Sequence, residues 1–191
     1  MPYTARTWDL DLKGLSKGQL DVHFALYQGY VTNTNRLNET IATMVKDGKG
    51  NIPDCAELRR RLGFEYNGMV LHEYYFDNLG GMAPPAKDSA LYQKLANIYG
   101  NYETWEADFK NTGLMRGIGW AIMFQDPRTK ALSNHWVADH EVGNIAGFVP
   151  ILIMDVWEHA YTVDFKATER AKYIDAFMGN VNWDAVAKRL T

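Results

Sequence analysis

The sequence has little of several things, and each shortage excludes a class of protein. Its 191 residues contain one cysteine, Cys55, so no disulfide can form within the chain. The first residues hold no apolar run of signal-peptide length, and the most apolar run, 147–154, falls far short of the roughly twenty residues that a membrane helix needs. The sequence is not strongly charged, because its 20 Lys and Arg residues nearly balance its 23 Asp and Glu residues. We therefore expect a cytoplasmic protein with no nucleic-acid and no membrane partner.

What is present suits a folded protein, because 47% of the residues are hydrophobic and 13% are aromatic. The clearest break in the pattern is segment 80–86, with two glycines and a Pro-Pro pair. We place a domain boundary there. It separates a predicted N-terminal helical-hairpin domain, 1–82, from a predicted C-terminal α/β domain, 83–191.

Apolar spacing predicts helices before the boundary. Ser16 and Gln19 form a capping-box pattern, and apolar residues then recur at intervals of three and four from Leu20 to Val45. A second long helix is predicted over 63–79. Two long helices joined by a short segment form an antiparallel hairpin.

After the boundary, strand patterns lie between helical ones. The strands are predicted over 120–124, 131–138 and 149–155, the last of them fully buried. Helices are predicted over 91–99, 102–109, 166–178 and 183–190, with Thr104 or a neighbour capping the second. The predicted fold class is α+β: an N-terminal antiparallel helical hairpin followed by an α/β domain with a small three-stranded antiparallel sheet.

Three of the five histidines lie at positions that suggest a shared role with one carboxylate. Asp155 ends the predicted buried strand, and His159 follows four residues later, where the chain turns. His23 and His72 each fall on the apolar face of a predicted helix, where an imidazole needs a partner. One metal ion would satisfy all four groups, and this nitrogen and oxygen set suits Fe, Mn, Zn or Co. Taken singly, a histidine on a helix face is more often a satisfied core histidine, and Asp155 and His159 could equally be a capping pair at a helix start.

Segment 155–161, Asp-Val-Trp-Glu-His-Ala-Tyr, resembles the signature of the iron/manganese superoxide dismutase family. Further segments resemble the family in the same order along nearly the whole chain: 15–35, 67–72, 117–120 and 181–183. The resemblance implies an antioxidant enzyme that disproportionates superoxide to O2 and H2O2. It also implies one Fe or Mn ion per subunit, with iron favoured, and the ligands His23, His72, Asp155 and His159.

The resemblance gives roles to residues around these ligands. Tyr30, seven residues after His23 and on the same helix face, matches the family's gateway tyrosine. Trp120 and Trp157 match the aromatic walls of the site. Glu158 matches a residue that bonds a ligand histidine of the neighbouring subunit, which implies a homodimer or a dimer of dimers. Without the resemblance, these residues would be ordinary packing aromatics and a surface glutamate.

Two further residues are assigned in the same way. His140 resembles the histidine that some family members place near the site, since the helix position four before His72 is Gly68 and cannot supply a side chain. Those members use iron or tolerate either metal. Arg170 stands about where the family carries an arginine, which makes it a candidate for steering the superoxide anion. His135 has no such match and is predicted to be a surface strand residue.

Two departures from the family pattern look like one coupled change. The usual His-His pair of the first helix is replaced by Leu26-Tyr27 or a gap beside them, and Thr162 replaces the tyrosine that pairs with one of those histidines. One residue fewer separates His23 from Tyr30, which predicts a regular helix without a π-type bulge. Two alternatives to the dismutase stay open: a metal-binding homologue with low or no activity, and a non-redox zinc site.

Overall fold

The computed structural model describes residues 1–81 and 84–191. The predicted domain boundary between 82 and 83 lies outside these described residues. The helices and strands are α1 (Lys17–Lys46), α2 (Pro53–Asp77), α3 (Ala90–Tyr99), α4 (Tyr102–Leu114), β1 (Gly119–Gln125), β2 (Leu132–Ala138), β3 (Val149–Asp155), α5 (Arg170–Gly179) and α6 (Trp183–Ala187). Among the described helices, none combines the length and the apolar character needed to cross a membrane.

The first two helices form the predicted antiparallel hairpin. Ser16 caps α1, because its side chain accepts a hydrogen bond from the Gln19 amide at 3.1 Å. The reciprocal half of the capping box does not form, since the Gln19 side chain bonds a distant segment instead. As predicted from the shorter spacing, α1 is an uninterrupted α-helix.

One of two predicted helix starts was wrong. Helix α2 begins at Pro53, not at residue 63, because its first turns carry charged side chains that hide the apolar period. Proline in the first turn is itself a common helix start. Helix α4 begins at residue 102, as predicted, and of the residues around Thr104 it is Asn101 that caps it: the Asn101 side chain accepts a hydrogen bond from the Thr104 amide at 2.7 Å.

The sheet is three-stranded and antiparallel, with β1 between β2 and β3. Every residue of β1 is buried, and the register places Trp120 opposite Asp155 of β3. In β3, Val149 and Pro150 are half-buried and the rest is buried, so the prediction of a fully buried strand was wrong at its first two residues. The α+β architecture and the sheet are confirmed.

The chain after β3 is more broken than the helical pattern indicated. A short 3₁₀ helix, Glu158–Ala160, follows the strand, and a second one, Ala167–Glu169, precedes α5. Helix α6 ends at Ala187, three residues before the predicted end at 190. Buried apolar side chains of the hairpin, the sheet and the later helices form one continuous core. This core fixes the ends of β3 and the hairpin against each other.

Candidate metal centre

The structure brings the four predicted ligands together from separate segments. His23 comes from α1, His72 from α2, Asp155 from the end of β3, and His159 from the 3₁₀ turn that follows. Their ligand atoms all lie within 4.8 Å of one another. The Nε2 atoms of His23, His159 and His72 lie 3.0, 3.2 and 3.6 Å from Oδ2 of Asp155. Three nitrogens therefore surround one carboxylate oxygen.

The hydrogen bonding of this cluster fits a metal ion. Nδ1 of His72 donates to the Gly68 carbonyl at 2.6 Å, so Nε2 presents a lone pair to the cluster. That Nε2 is buried and has no hydrogen-bond partner among the described residues. A buried polar atom without a partner is costly, and a cation among the four groups would remove that cost. The donor set matches Fe, Mn, Co or Zn.

The surroundings favour the metal-binding protonation states of His72, His23 and Asp155. Burial lowers the pKa of His72 well below its ordinary value, and the neighbouring His23 lowers it further. Burial also lowers the pKa of His23, against the opposing effect of Asp155. Burial by itself would raise the pKa of Asp155, but His159 and His23 outweigh it and hold that pKa below 3.8. Neutral imidazoles beside a carboxylate are the forms that ligate a metal.

Asp155 is held in place by hydrogen bonds to both its side chain and its backbone. Its second oxygen, Oδ1, accepts a hydrogen bond from the Trp157 amide at 2.8 Å. Its backbone carbonyl accepts one from the hydroxyl of Tyr173, on α5, at 2.6 Å. Such outer contacts fix the direction in which a ligand points. The sequence analysis missed Tyr173, because no local pattern connects α5 with the end of β3.

The turn that carries His159 is fastened to α1 by Gln19. Nε2 of Gln19 donates to the His159 carbonyl at 2.6 Å, and its Oε1 accepts from the Val163 amide at 3.0 Å. Gln19 is buried, so these bonds are shielded from water. The capping-box pattern drew attention to this residue but assigned its side chain the wrong partner.

Tyr30, His140 and Trp120 form a hydrogen-bonded chain beside the cluster. Nε1 of Trp120 donates to Nδ1 of His140 at 3.0 Å, which assigns the proton of the neutral imidazole to Nε2. That Nε2–H donates to the Tyr30 hydroxyl at 2.8 Å. Burial lowers the pKa of His140 to about 4, so the ring is neutral at physiological pH. Burial, with the nearby Asp155 charge, raises the pKa of Tyr30 and keeps the phenol protonated.

The segment that carries His140 is held in place by two asparagines. Asn67 and Asn144 each donate a side-chain hydrogen bond to the His140 carbonyl at 2.9 Å. The His140 ring stacks on Trp157 with centroids 5.0 Å apart, and the Phe64 ring lies 4.6 Å away. Phe64 and Asn144 had not been singled out from the sequence, since each acts through a contact with a distant segment.

The other predicted residues lie outside these bonds. Glu158 is exposed in the turn beside His159. Arg170 donates from its two Nη atoms to the carbonyls of Met115 and Gly117, both at 2.8 Å, so its steering role stays a prediction. His135 is half-buried, not fully on the surface, with Nε2 2.7 Å from the hydroxyl of its own strand neighbour Ser133.

Comparison with known proteins agrees with this geometry. The family model described as iron/manganese superoxide dismutases, C-terminal domain, matches residues 87–189. A superoxide dismutase [Fe] of Aquifex pyrophilus is 36% identical over 186 residues, covering 94% of this chain and 85% of the relative. A superoxide dismutase [Mn] 2 of Haloferax volcanii is 32% identical, covering 87% and 82%, and a superoxide dismutase [Mn/Fe] of Aeropyrum pernix is 34% identical, covering 88% and 78%. The chain therefore belongs to the iron/manganese superoxide dismutase family.

Proposed function

We propose that this protein is a superoxide dismutase that converts superoxide to O2 and H2O2 with one Fe or Mn ion per subunit. The observation that carries the proposal is the convergence of three imidazole nitrogens on the Asp155 carboxylate, within 4.8 Å, in a chain of this family. An Fe or Mn ion held there would supply the redox couple needed to oxidise one superoxide to O2 and reduce the next to H2O2. Zinc has no accessible redox step and could not support this reaction.

The ligand assignments follow from the same cluster. His23, His72, Asp155 and His159 would hold the ion, because their donor atoms face one another. We favour iron as the metal. His140 resembles the histidine that some family members place near the site, and those members use iron or tolerate either metal. The names of the relatives include Fe, Mn and Mn/Fe enzymes, and the metal content of the purified protein distinguishes these metals.

Reduction of superoxide to peroxide consumes two protons, and Tyr30 is placed to deliver one. The Tyr30 hydroxyl oxygen accepts a hydrogen bond from the Nε2–H of His140 at 2.8 Å. The O–H of Tyr30 is therefore free to donate toward the cluster, where its ring lies next to that of His72. Because its raised pKa keeps the phenol protonated, Tyr30 holds a proton at neutral pH. His140 acts here by orienting Tyr30, and Trp120 by fixing the His140 tautomer.

The aromatic walls restrict what reaches the cluster. Trp120 is fully buried, with its ring 5.0 Å from that of His72, and Trp157 stacks on His159 at 5.6 Å. These apolar rings keep bulk water and larger molecules away from the cluster. The low local polarity also strengthens the hydrogen bonds next to the cluster.

We further propose that the protein works in the cytoplasm as an antioxidant homodimer or dimer of dimers. The carboxylate of Glu158 is exposed and has no hydrogen-bond partner in the described part of the chain, beside a partly exposed His159. A second copy could place its own His159 against Glu158. Arg170 remains the proposed steering cation. Sedimentation of the wild type against Glu158→Gln tests the assembly, and a monomeric wild type would contradict it.

The function is tested by metal content and superoxide dismutation measured on the same purified sample. We expect about one Fe or Mn per chain and activity in the wild type, and both to be lost in His72→Gln because the ligand nitrogen is removed. His135→Gln is the matched control, since it changes a histidine that lies outside the cluster. Stoichiometric zinc with no dismutation, even after reconstitution with Fe and Mn, would overturn the proposal.

A further inference from the structure

One flank of the cluster is more open than the others. His23, His72 and Asp155 have no exposed side-chain surface, whereas the His159 side chain is 17% exposed. Tyr30, Phe64 and Trp157 are also only half-buried. We call the partly exposed flank formed by Tyr30, Phe64, Trp157 and His159 the entrance. Of the four ligands, His159 alone has exposed side-chain surface, and it lies on this flank.

A charged pair lies beside the entrance, with Arg61 over the Phe64 ring. The Glu65 carboxylate is buried, with its side chain 4% exposed, and accepts hydrogen bonds from Arg61 Nε at 2.8 Å and from Asn33 at 3.3 Å. The Arg61 side chain is 48% exposed, and its Nη2 lies 2.6 Å from Glu65. The arginine therefore occupies the solvent side of the pair and the carboxylate the protein side.

The ring of Phe64 contacts both the charged pair and the residues at the entrance. The Arg61 guanidinium lies over Phe64, with Cζ 4.1 Å from the ring centroid. The same ring is 4.6 Å from the His140 ring and 6.3 Å from the Tyr30 ring. Both charges act on Tyr30: beyond burial and Asp155, Glu65 raises the pKa of Tyr30 and Arg61 lowers it.

We infer that Arg61 and Glu65 together set the rate at which the anionic substrate reaches the site, Arg61 by cancelling a buried negative charge that would otherwise repel it. The inference rests on the proposed function, because it concerns the substrate of that same site. A buried carboxylate needs a paired cation, and losing the cation leaves its full charge beside the entrance. Losing the carboxylate alone leaves an attractive cation there.

The chain provides a matched control one residue away. Arg60 pairs with Glu57 on the same helix, and both side chains are more than 60% exposed. Removing either charge changes the net charge of the protein by the same amount as the corresponding change at the entrance pair. The control pair has no aromatic contact with Tyr30 or His140 among the described residues, so any general effect of charge will appear in both pairs.

The experiment measures kcat/KM for superoxide against ionic strength on metal-loaded protein. At low salt, we expect Arg61→Gln to lower kcat/KM by about three- to tenfold and Glu65→Gln to raise it by a similar factor. Both effects fade as salt shortens the screening length from about 30 Å at 0.01 M to about 3 Å at 1 M. The double variant should return close to the wild type. Arg60→Gln and Glu57→Gln should stay within about twofold of the wild type.

Optical titration with azide gives a second readout that does not depend on turnover. We expect the azide dissociation constant to rise in Arg61→Gln and to fall in Glu65→Gln. Melting curves identify any variant that fails to fold, and Glu65→Gln, which is nearly isosteric, keeps the test valid if Arg61→Gln is unstable. Shifts of the same sign in both variants, shifts independent of salt, or equal shifts in the control pair would overturn the inference. A wild type without dismutation would count against the proposed function instead, while the azide titration would still judge the charge pair.

Discussion

The ring of Tyr30 lies so close to Gly68 that a Cβ atom at position 68 would come within 2.6 Å of the ring carbon Cδ1. The hydroxyl of the same tyrosine is held by His140 at 2.8 Å. No side chain can therefore grow from position 68 without moving Tyr30 away from its partner. This contact explains in steric terms why the imidazole that bonds Tyr30 comes from the segment after β2 and not from α2.

Gly68→Ala tests this contact. We expect the variant to be less stable than Gly29→Ala by about 1–3 kcal/mol, because the added methyl overpacks the ring. Gly29 is a fair control, since a Cβ there meets no atom within 4 Å and both variants gain the same helix propensity. Urea unfolding of both proteins gives the difference. If the two alanine variants were equally stable, the Tyr30 ring would have to be freer to move than the contact implies.

His140→Gln should change how stability depends on pH. Because burial holds the folded pKa of His140 at about 4, below the ordinary 6.5, the unfolded chain binds more protons between these pH values. Stability from this neutral ring is therefore complete above pH 6.5 and is lost as the pH falls toward 4, by up to about 1.4 kcal/mol per pH unit.

The measurement compares urea midpoints of the wild type and His140→Gln, as purified, from pH 4.5 to 7.5. The glutamine cannot titrate, so the loss of stability with acid should be smaller in the variant. The ligand histidines are the same in both proteins, and their effect cancels in the difference. Parallel curves would mean that His140 is protonated as easily in the folded protein as in the unfolded one.

Gln19→Ala should lower the affinity of the site for its metal ion. The substitution removes the hydrogen bonds that fasten the His159 carbonyl and the Val163 amide to α1, so the turn carrying His159 gains freedom. Loss of such outer contacts typically costs 10–100-fold in metal affinity, and we expect metal transfer to a chelator to speed up by about tenfold or more. Gln28→Ala, an exposed glutamine of the same helix, is the control. Equal transfer rates in the two variants would show that the turn is held by other contacts.

Local patterns were enough for much of the fold. The strand ending at Asp155 was predicted with its observed bounds, because an apolar run lies between a glycine-containing turn and a charged residue. The Ser16 cap was also predicted correctly. The start of α2 was not, because an exposed helix turn needs no apolar period, and its residues carry charge on the solvent side.

The site could be predicted only in part, for a different reason. His23 and Asp155 are 132 residues apart, and no spacing rule predicts that they meet at 3.0 Å. Their positions on predicted elements suggested that they share a metal, and the resemblance to a family assigned them as ligands. The resemblance did not supply the bonds from Gln19 and Tyr173, nor the Glu65 carboxylate beside the entrance, because these depend on which side chains of this chain happen to face each other.

The last residues of the chain are bound to the core by Arg189. Its guanidinium donates to the carbonyl of Ile151 at 2.9 Å, to that of Tyr74 at 3.3 Å, and to the side-chain oxygen of Asn78. Arg189→Met keeps the apolar stem but leaves these acceptors without their donor, so we expect a loss of about 3 kcal/mol in urea unfolding. Exposed Lys188→Met should stay within about 0.5 kcal/mol of the wild type. A small effect at Arg189 would mean that water reaches these carbonyls when the arginine is absent.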